Sequence, residues 1–171
     1  MKPNIGISEN HLENSINLLA TSLADEVTLY TKIRKFHWNV AGESFMELHK
    51  LFQEQYTELE ETIDEIAERI NKLGGKSIGT MDEFLKITSI KESPNVYPNQ
   101  REMMKELLDD HETIVKEFRK NIDKSNENKD AGTADFFTGL MNNTKRCLGF
   151  LEGIYLRFYL MFFLEIKCNN Y

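Results

Sequence analysis

Leu19, Leu23, Val27 (or Glu26), Tyr30, Ile33 and His37 recur every three or four residues, which places them on one face of a helix over residues 11–40. Asn10 or Ser15 suits its N-terminal cap, and Gly42 breaks the pattern just after Val40. A second ladder, Phe45, Leu48, Phe52, Leu59, Ile63, Ile66, Ile70 and Leu73, predicts a helix that starts near Glu43 or Ser44 and stops at Gly74 and Gly75. The turn between the two is short, so these helices lie antiparallel.

Residues 76–98 read differently. They hold Pro94 and Pro98 and only one short helical pattern, over 81–87. A connection this long inside a compact domain usually spans something; here it crosses the end of a bundle or runs along it. Met103, Met104, Leu107, Leu108, Ile114, Val115 and Phe118 then predict a third helix over 100–122. Residues 123–132 read as a polar turn, and a fourth helix begins near Thr133 and runs toward the C-terminus. Four helices with one long connection in the middle predict an all-α, ferritin-like four-helix bundle, its crossover carrying a short helix, in a single domain over 1–171.

Composition narrows the function classes. The 171 residues include 21 Lys and Arg against 28 Asp and Glu, a net charge of −7, and 40% are apolar. That mixture builds a core and excludes a disordered chain. The acidic balance is a poor match for nucleic acid. Two cysteines, Cys147 and Cys168, form no disulfide framework and fit the reducing cytoplasm. The first 15 residues lack the apolar centre of a signal peptide, so export is not expected. Residues 156–166 are strongly apolar, but the uninterrupted run over 158–164 is bracketed by Arg157 and Glu165. A membrane span needs roughly 20 apolar residues, so this segment reads as core or interface and no membrane partner is expected.

Candidate chemistry falls on His37, His49, Asp64 and Glu68. Asp64 and Glu68 are four residues apart, so both carboxylates leave one face of the second helix. The competing reading is a solvated acidic face, since Glu54, Glu58, Glu60, Glu61 and Glu65 are close by. His37 and His49 flank the Gly42 turn, and an antiparallel hairpin brings them to similar heights. The competing reading there is two unrelated helical histidines, one of them satisfied in the core. Asp64 lies 15 residues beyond His49, or about 22 Å along the helix axis. One chain therefore cannot bring both pairs to one metal, whereas two chains packed about a two-fold axis can. Such mixed nitrogen and oxygen ligands suit iron, and zinc also fits. No Glu lies three residues before any of the four histidines, so a di-iron site built inside the bundle on Glu-x-x-His pairs is not expected.

The segment over 23–75, with its blocks FHWNV, LHKLFQEQY and DEIAERI, resembles the Dps family of bacterial mini-ferritins. The intervals between His37, His49, Asp64 and Glu68 match the family pattern, and Thr133, Ala134, Asp135 and Phe136 resemble the start of its fourth helix. The resemblance covers roughly residues 10–142. It implies a hollow homododecamer of tetrahedral symmetry with di-iron ferroxidase sites at its two-fold interfaces. His37 and His49 would come from one subunit, and Asp64 and Glu68 from its neighbour. Iron(II) would be oxidised there, preferably by hydrogen peroxide, and iron(III) stored as mineral inside. Trp38 resembles the family tryptophan that intercepts stray radicals or electrons, against a plain packing role. Asp130 and Asp135 would line three-fold pores, against a helix-capping role.

Three departures bear on that reading. Many relatives carry a carboxylate four residues after the second histidine, where this chain has Gln53. A neutral amide is a weaker iron ligand, so Gln53 is expected to bind weakly or through water. The Lys-rich tail by which family members contact DNA is missing: the N-terminus offers Lys2 beside Glu9 and Glu13, and Lys167 is followed only by Cys, Asn, Asn and Tyr. Direct DNA binding is therefore expected to be weak or absent. After Met141 the family ending disappears. The anomalous tail over 143–171 is compatible with a shifted reading frame, because codons for residues 143–147 exist that read His-Glu-Lys-Met in another frame. The alternatives to a ferroxidase cage are a DNA-protecting cage and a structural cage or adhesin with little oxidase activity.

Overall fold

The computed structural model describes residues 3–168, with side chains up to residue 157. The side chains of the apolar run over 158–164, of Glu165 and of Cys168 lie outside the described residues. Five helices follow in order: α1 (Glu9–Asn39), α2 (Phe45–Lys72), α3 (Met81–Ile87), α4 (Gln100–Glu127) and α5 (Ala131–Cys168). α1 pairs with α2 and α4 with α5, while α1 also packs on α3 and α4. The short α3 sits within the long crossover, where the sequence places it. Among the described residues no helix is long and apolar enough to cross a membrane.

The helix ends follow from local chemistry. Ser8, rather than Asn10 or Ser15, caps α1, its hydroxyl accepting the His11 amide proton. Ser15 is instead fully buried in α1. Capping boxes start α3 (Thr80 with Glu83) and α4 (Asn99 with Glu102). α2 ends in a Schellman motif: Gly74 adopts φ +84° and donates to the Asn71 carbonyl, while Gly75 donates to the Ile70 carbonyl. The polar residues 123–127 remain helical, so α4 runs one turn further than its apolar ladder implies. Its end repeats the Schellman pattern with Lys129 at φ +58°, and Asp130 donates to the Ser125 carbonyl. The turn between α4 and α5 thus shrinks to residues 128–130.

The core runs the length of the bundle. Leu19, Leu23, Leu29, Ile33 and Phe36 of α1 meet Phe52, Ile66 and Ile70 of α2, Met103, Leu107 and Phe118 of α4, and Phe137 and Leu151 of α5. Burying each such side chain stabilises the fold by about 1.5–3 kcal/mol. Two acids interrupt it. Asp25 is 2% exposed and accepts the Ser89 amide, the Ser89 hydroxyl and the Thr88 hydroxyl at 2.6–2.9 Å, which pins the end of α3 to α1. Glu26, at the position where the sequence pattern allowed Val27 instead, is also buried.

Candidate metal centre

Gly42, at φ +119°, lets the chain reverse between α1 and α2. That reversal sets His37 and His49 face to face, ring centroids 3.7 Å apart and planes 25° from parallel. Each ring uses Nδ1 to reach the other residue's backbone carbonyl, at 2.8 Å from His37 and 3.0 Å from His49. A carbonyl only accepts, so both Nδ1 atoms carry the proton. In the neutral imidazole this tautomer leaves the Nε2 lone pair for a metal. The edge of Tyr56 lies 5.3 Å from the His37 ring and Phe45 lies 5.0 Å from the His49 ring, so the pair is held from both sides. His37 is 8% exposed, and its ring is fixed before any ligand arrives. This is the juxtaposition that the Gly42 turn predicts, and it excludes two unrelated helical histidines.

Asp64 and Glu68 are exposed on one face of α2, with Glu68 joined to Lys72 at 2.9 Å. Among the described residues no three His, Cys, Asp or Glu side chains of the single chain gather into a metal-binding set. The histidine pair and the carboxylate pair thus stay apart within one chain, about 22 Å along α2. Gln53 is exposed one turn after His49. Trp38 is 66% exposed, with the Arg34 guanidinium 5.2 Å from its ring centroid. Arg34 also donates to the Tyr30 hydroxyl at 2.6 Å, and Tyr30 donates to Glu60 at 3.1 Å.

Asp130 and Asp135 part company. Asp130 is 3% exposed. One carboxylate oxygen accepts the Thr133 amide proton at 3.0 Å and the other accepts the Thr133 hydroxyl at 2.6 Å, with Arg69 4.0 Å away. It is the N-cap of α5, the role that competes with lining a pore. Asp135 is exposed one turn later.

The sequence pattern did not single out His111, which is 2% exposed and held neutral by burial, its pKa lowered to about 4. The signal available was its place in the apolar ladder of α4, between Leu108 and Ile114.

A family model described as a ferritin-like domain matches residues 16–155. The chain is 41% identical over 155 residues to a low temperature-induced protein of Nostoc sp., covering 88% of this chain and 87% of that one. It is 38% identical over 132 residues to the DNA protection during starvation protein 2 of Bacillus anthracis, covering 77% and 89%. Among solved structures, a Dps protein from Vibrio cholerae, described as a member of a broad superfamily of ferritin-like diiron-carboxylate proteins, superposes with a TM-score of 0.83. It is 29% identical, with 89% of this chain and 95% of that one covered.

Proposed function

We propose, from the premise that the chain belongs to the Dps family of ferritin-like proteins, that it oxidises iron(II) with hydrogen peroxide and stores the iron(III) in a hollow dodecamer. The observation that carries this reading is the interlocked His37–His49 pair, whose Nδ1 atoms are both taken up by backbone carbonyls, which leaves the two Nε2 atoms for a metal. Asp64 and Glu68, exposed and too distant within one chain, supply the complementary oxygens from a neighbouring subunit across a two-fold axis.

Iron is the substrate here. The imidazole pair and the two carboxylates fit a first-row divalent ion, and the same ligands would also hold zinc. Two iron(II) ions each give one electron to hydrogen peroxide, whose O–O bond breaks, and two protons complete two water molecules. Both electrons leave together, so no hydroxyl radical is released. The protein supplies position: the Nδ1 hydrogen bonds fix both rings, and Gln53 lies one turn away to bind weakly or through water. Trp38, exposed beside the pair, is the residue to intercept a stray oxidant. Protection of DNA then follows from removing iron and peroxide. The charge of −7 argues against coating DNA directly. Asp135 is the acid available to line an entry pore.

The test loads the purified protein with iron(II) anaerobically, adds hydrogen peroxide, and follows iron(III) absorbance together with assembly mass. Rapid oxidation in a dodecamer, lost in a His37→Ala/His49→Ala protein, supports the reading. A dodecamer with no oxidation overturns it in favour of a structural or DNA-protecting cage.

A further inference from the structure

A small cavity lies inside the bundle, remote from the His37–His49 pair. Its volume is about 30 Å³, and its walls include Glu26 of α1, Gln55 of α2 and His111 of α4, with Glu58 and Cys147 at one side. Glu26, Gln55 and His111 are 2%, 5% and 2% exposed. Neither ring nitrogen of His111 and neither amide atom of Gln55 has a hydrogen-bond partner. Buried polar groups are rarely left so, because each loses its hydration and gains nothing in return. A cavity of this size holds one water or one ion.

We propose that this cavity binds one divalent transition-metal ion through Glu26, His111 and the Gln55 amide oxygen, as a site separate from the interfacial one. Residues of three different helices line a space the size of a single ion, and the side chains of Gln55 and His111 lack other partners. The walls carry two carboxyl groups, Glu26 and Glu58, and no Lys or Arg. Arg146 reaches Glu58 from outside, at 3.1 Å. Glu26 holds a proton there, kept by burial and by the neighbouring Asp25. A divalent ion displaces that proton to solvent and takes its place, which a water cannot. Burial keeps His111 unprotonated at neutral pH, so a ring lone pair is free for the ion. Glu26 precedes His37 by eleven residues on α1, about 16 Å along the axis, so the two sites load independently.

Cobalt(II) is the probe, in a His37→Ala/His49→Ala protein that lacks the interfacial nitrogen ligands. Metal analysis after gel filtration should find one retained cobalt per chain, with visible absorption bands of a protein-bound ion. Adding Glu26→Gln, which keeps the side-chain shape, or His111→Leu should remove that cobalt at unchanged assembly mass and helical content. Should His111→Leu fail to fold, Glu26→Gln alone decides. Failure to retain cobalt, or retention that survives Glu26→Gln, overturns the proposal. So does a crystal structure of the cobalt-soaked protein with water alone in the cavity. These outcomes are independent of peroxide activity, which reads only the interfacial site.

Discussion

Replacing Glu26 with Gln isolates one buried proton. Glu26 is fully enclosed, and burial, reinforced by the neighbouring Asp25, raises its pKa from an ordinary 4.5 to about 8. The folded protein therefore holds a proton that the unfolded chain releases above pH 4.5. Between those values folding takes up a proton, so raising the pH destabilises the native state, and the stability present at low pH is lost until pH passes about 8. The slope is about 1.4 kcal/mol per pH unit, or about 3 kcal/mol between pH 5 and 7. His111 acts in the opposite sense, since its pKa falls to about 4 on folding. Stability from that group grows with pH up to the unfolded value near 6.5 and partly masks Glu26 in the native protein. Gln cannot titrate, and His111 is common to both proteins, so their difference cancels the masking. Urea unfolding of both proteins at matched chain concentration, with a chelator present and far-UV circular dichroism as the probe, measures it. The stability of Glu26→Gln relative to the native sequence should rise by about 3 kcal/mol from pH 5 to 7. A difference that stays flat across that range refutes the reasoning.

Other expectations follow from the same geometry. Gln53→Glu should tighten iron(II) binding about thirtyfold in anaerobic titration, because even in water a unit charge pair at ~4 Å is worth about 1 kcal/mol and a divalent ion doubles it to about 2 kcal/mol; unchanged affinity would mean that Gln53 faces no iron. Asp130→Ala strips the α5 cap from Thr133 and should cost about 1–2 kcal/mol, read as a lower unfolding midpoint in urea. Gly74→Ala places a Cβ at φ +84° and should cost about 1–2 kcal/mol in the same assay.

Much of this was legible in the sequence for identifiable reasons. The α1 and α2 ladders and the Gly42 break sufficed to set His37 opposite His49, because a tight antiparallel hairpin leaves little freedom of height. The bounds of α3 were legible in an isolated apolar pattern between turn residues. The far end of α4 was not, since residues 123–127 are polar by composition yet helical by continuity with the turn before them. Ser8 was missed as a cap because several hydroxyl and amide residues compete there. Asp25 and His111 were hidden, and Glu26 stood only as the alternative to Val27, for a shared reason: periodicity marks positions as buried, but it does not say which polar residues the interior accepts. The reciprocal Nδ1 bonds, which fix the tautomer, are a property of backbone placement that no residue spacing reveals.

The central claim is that one active site is assembled from two chains. Two inactive proteins test it directly: one carrying His37→Ala and His49→Ala, the other carrying Asp64→Asn and Glu68→Gln. Each alone should fail to oxidise iron(II) with peroxide. Dissociated and reassembled together, they should regain activity, because at a mixed two-fold interface one of the two sites draws both intact half-sites. Mixed cages, verified by mass, that stay as inactive as their parents would contradict the account.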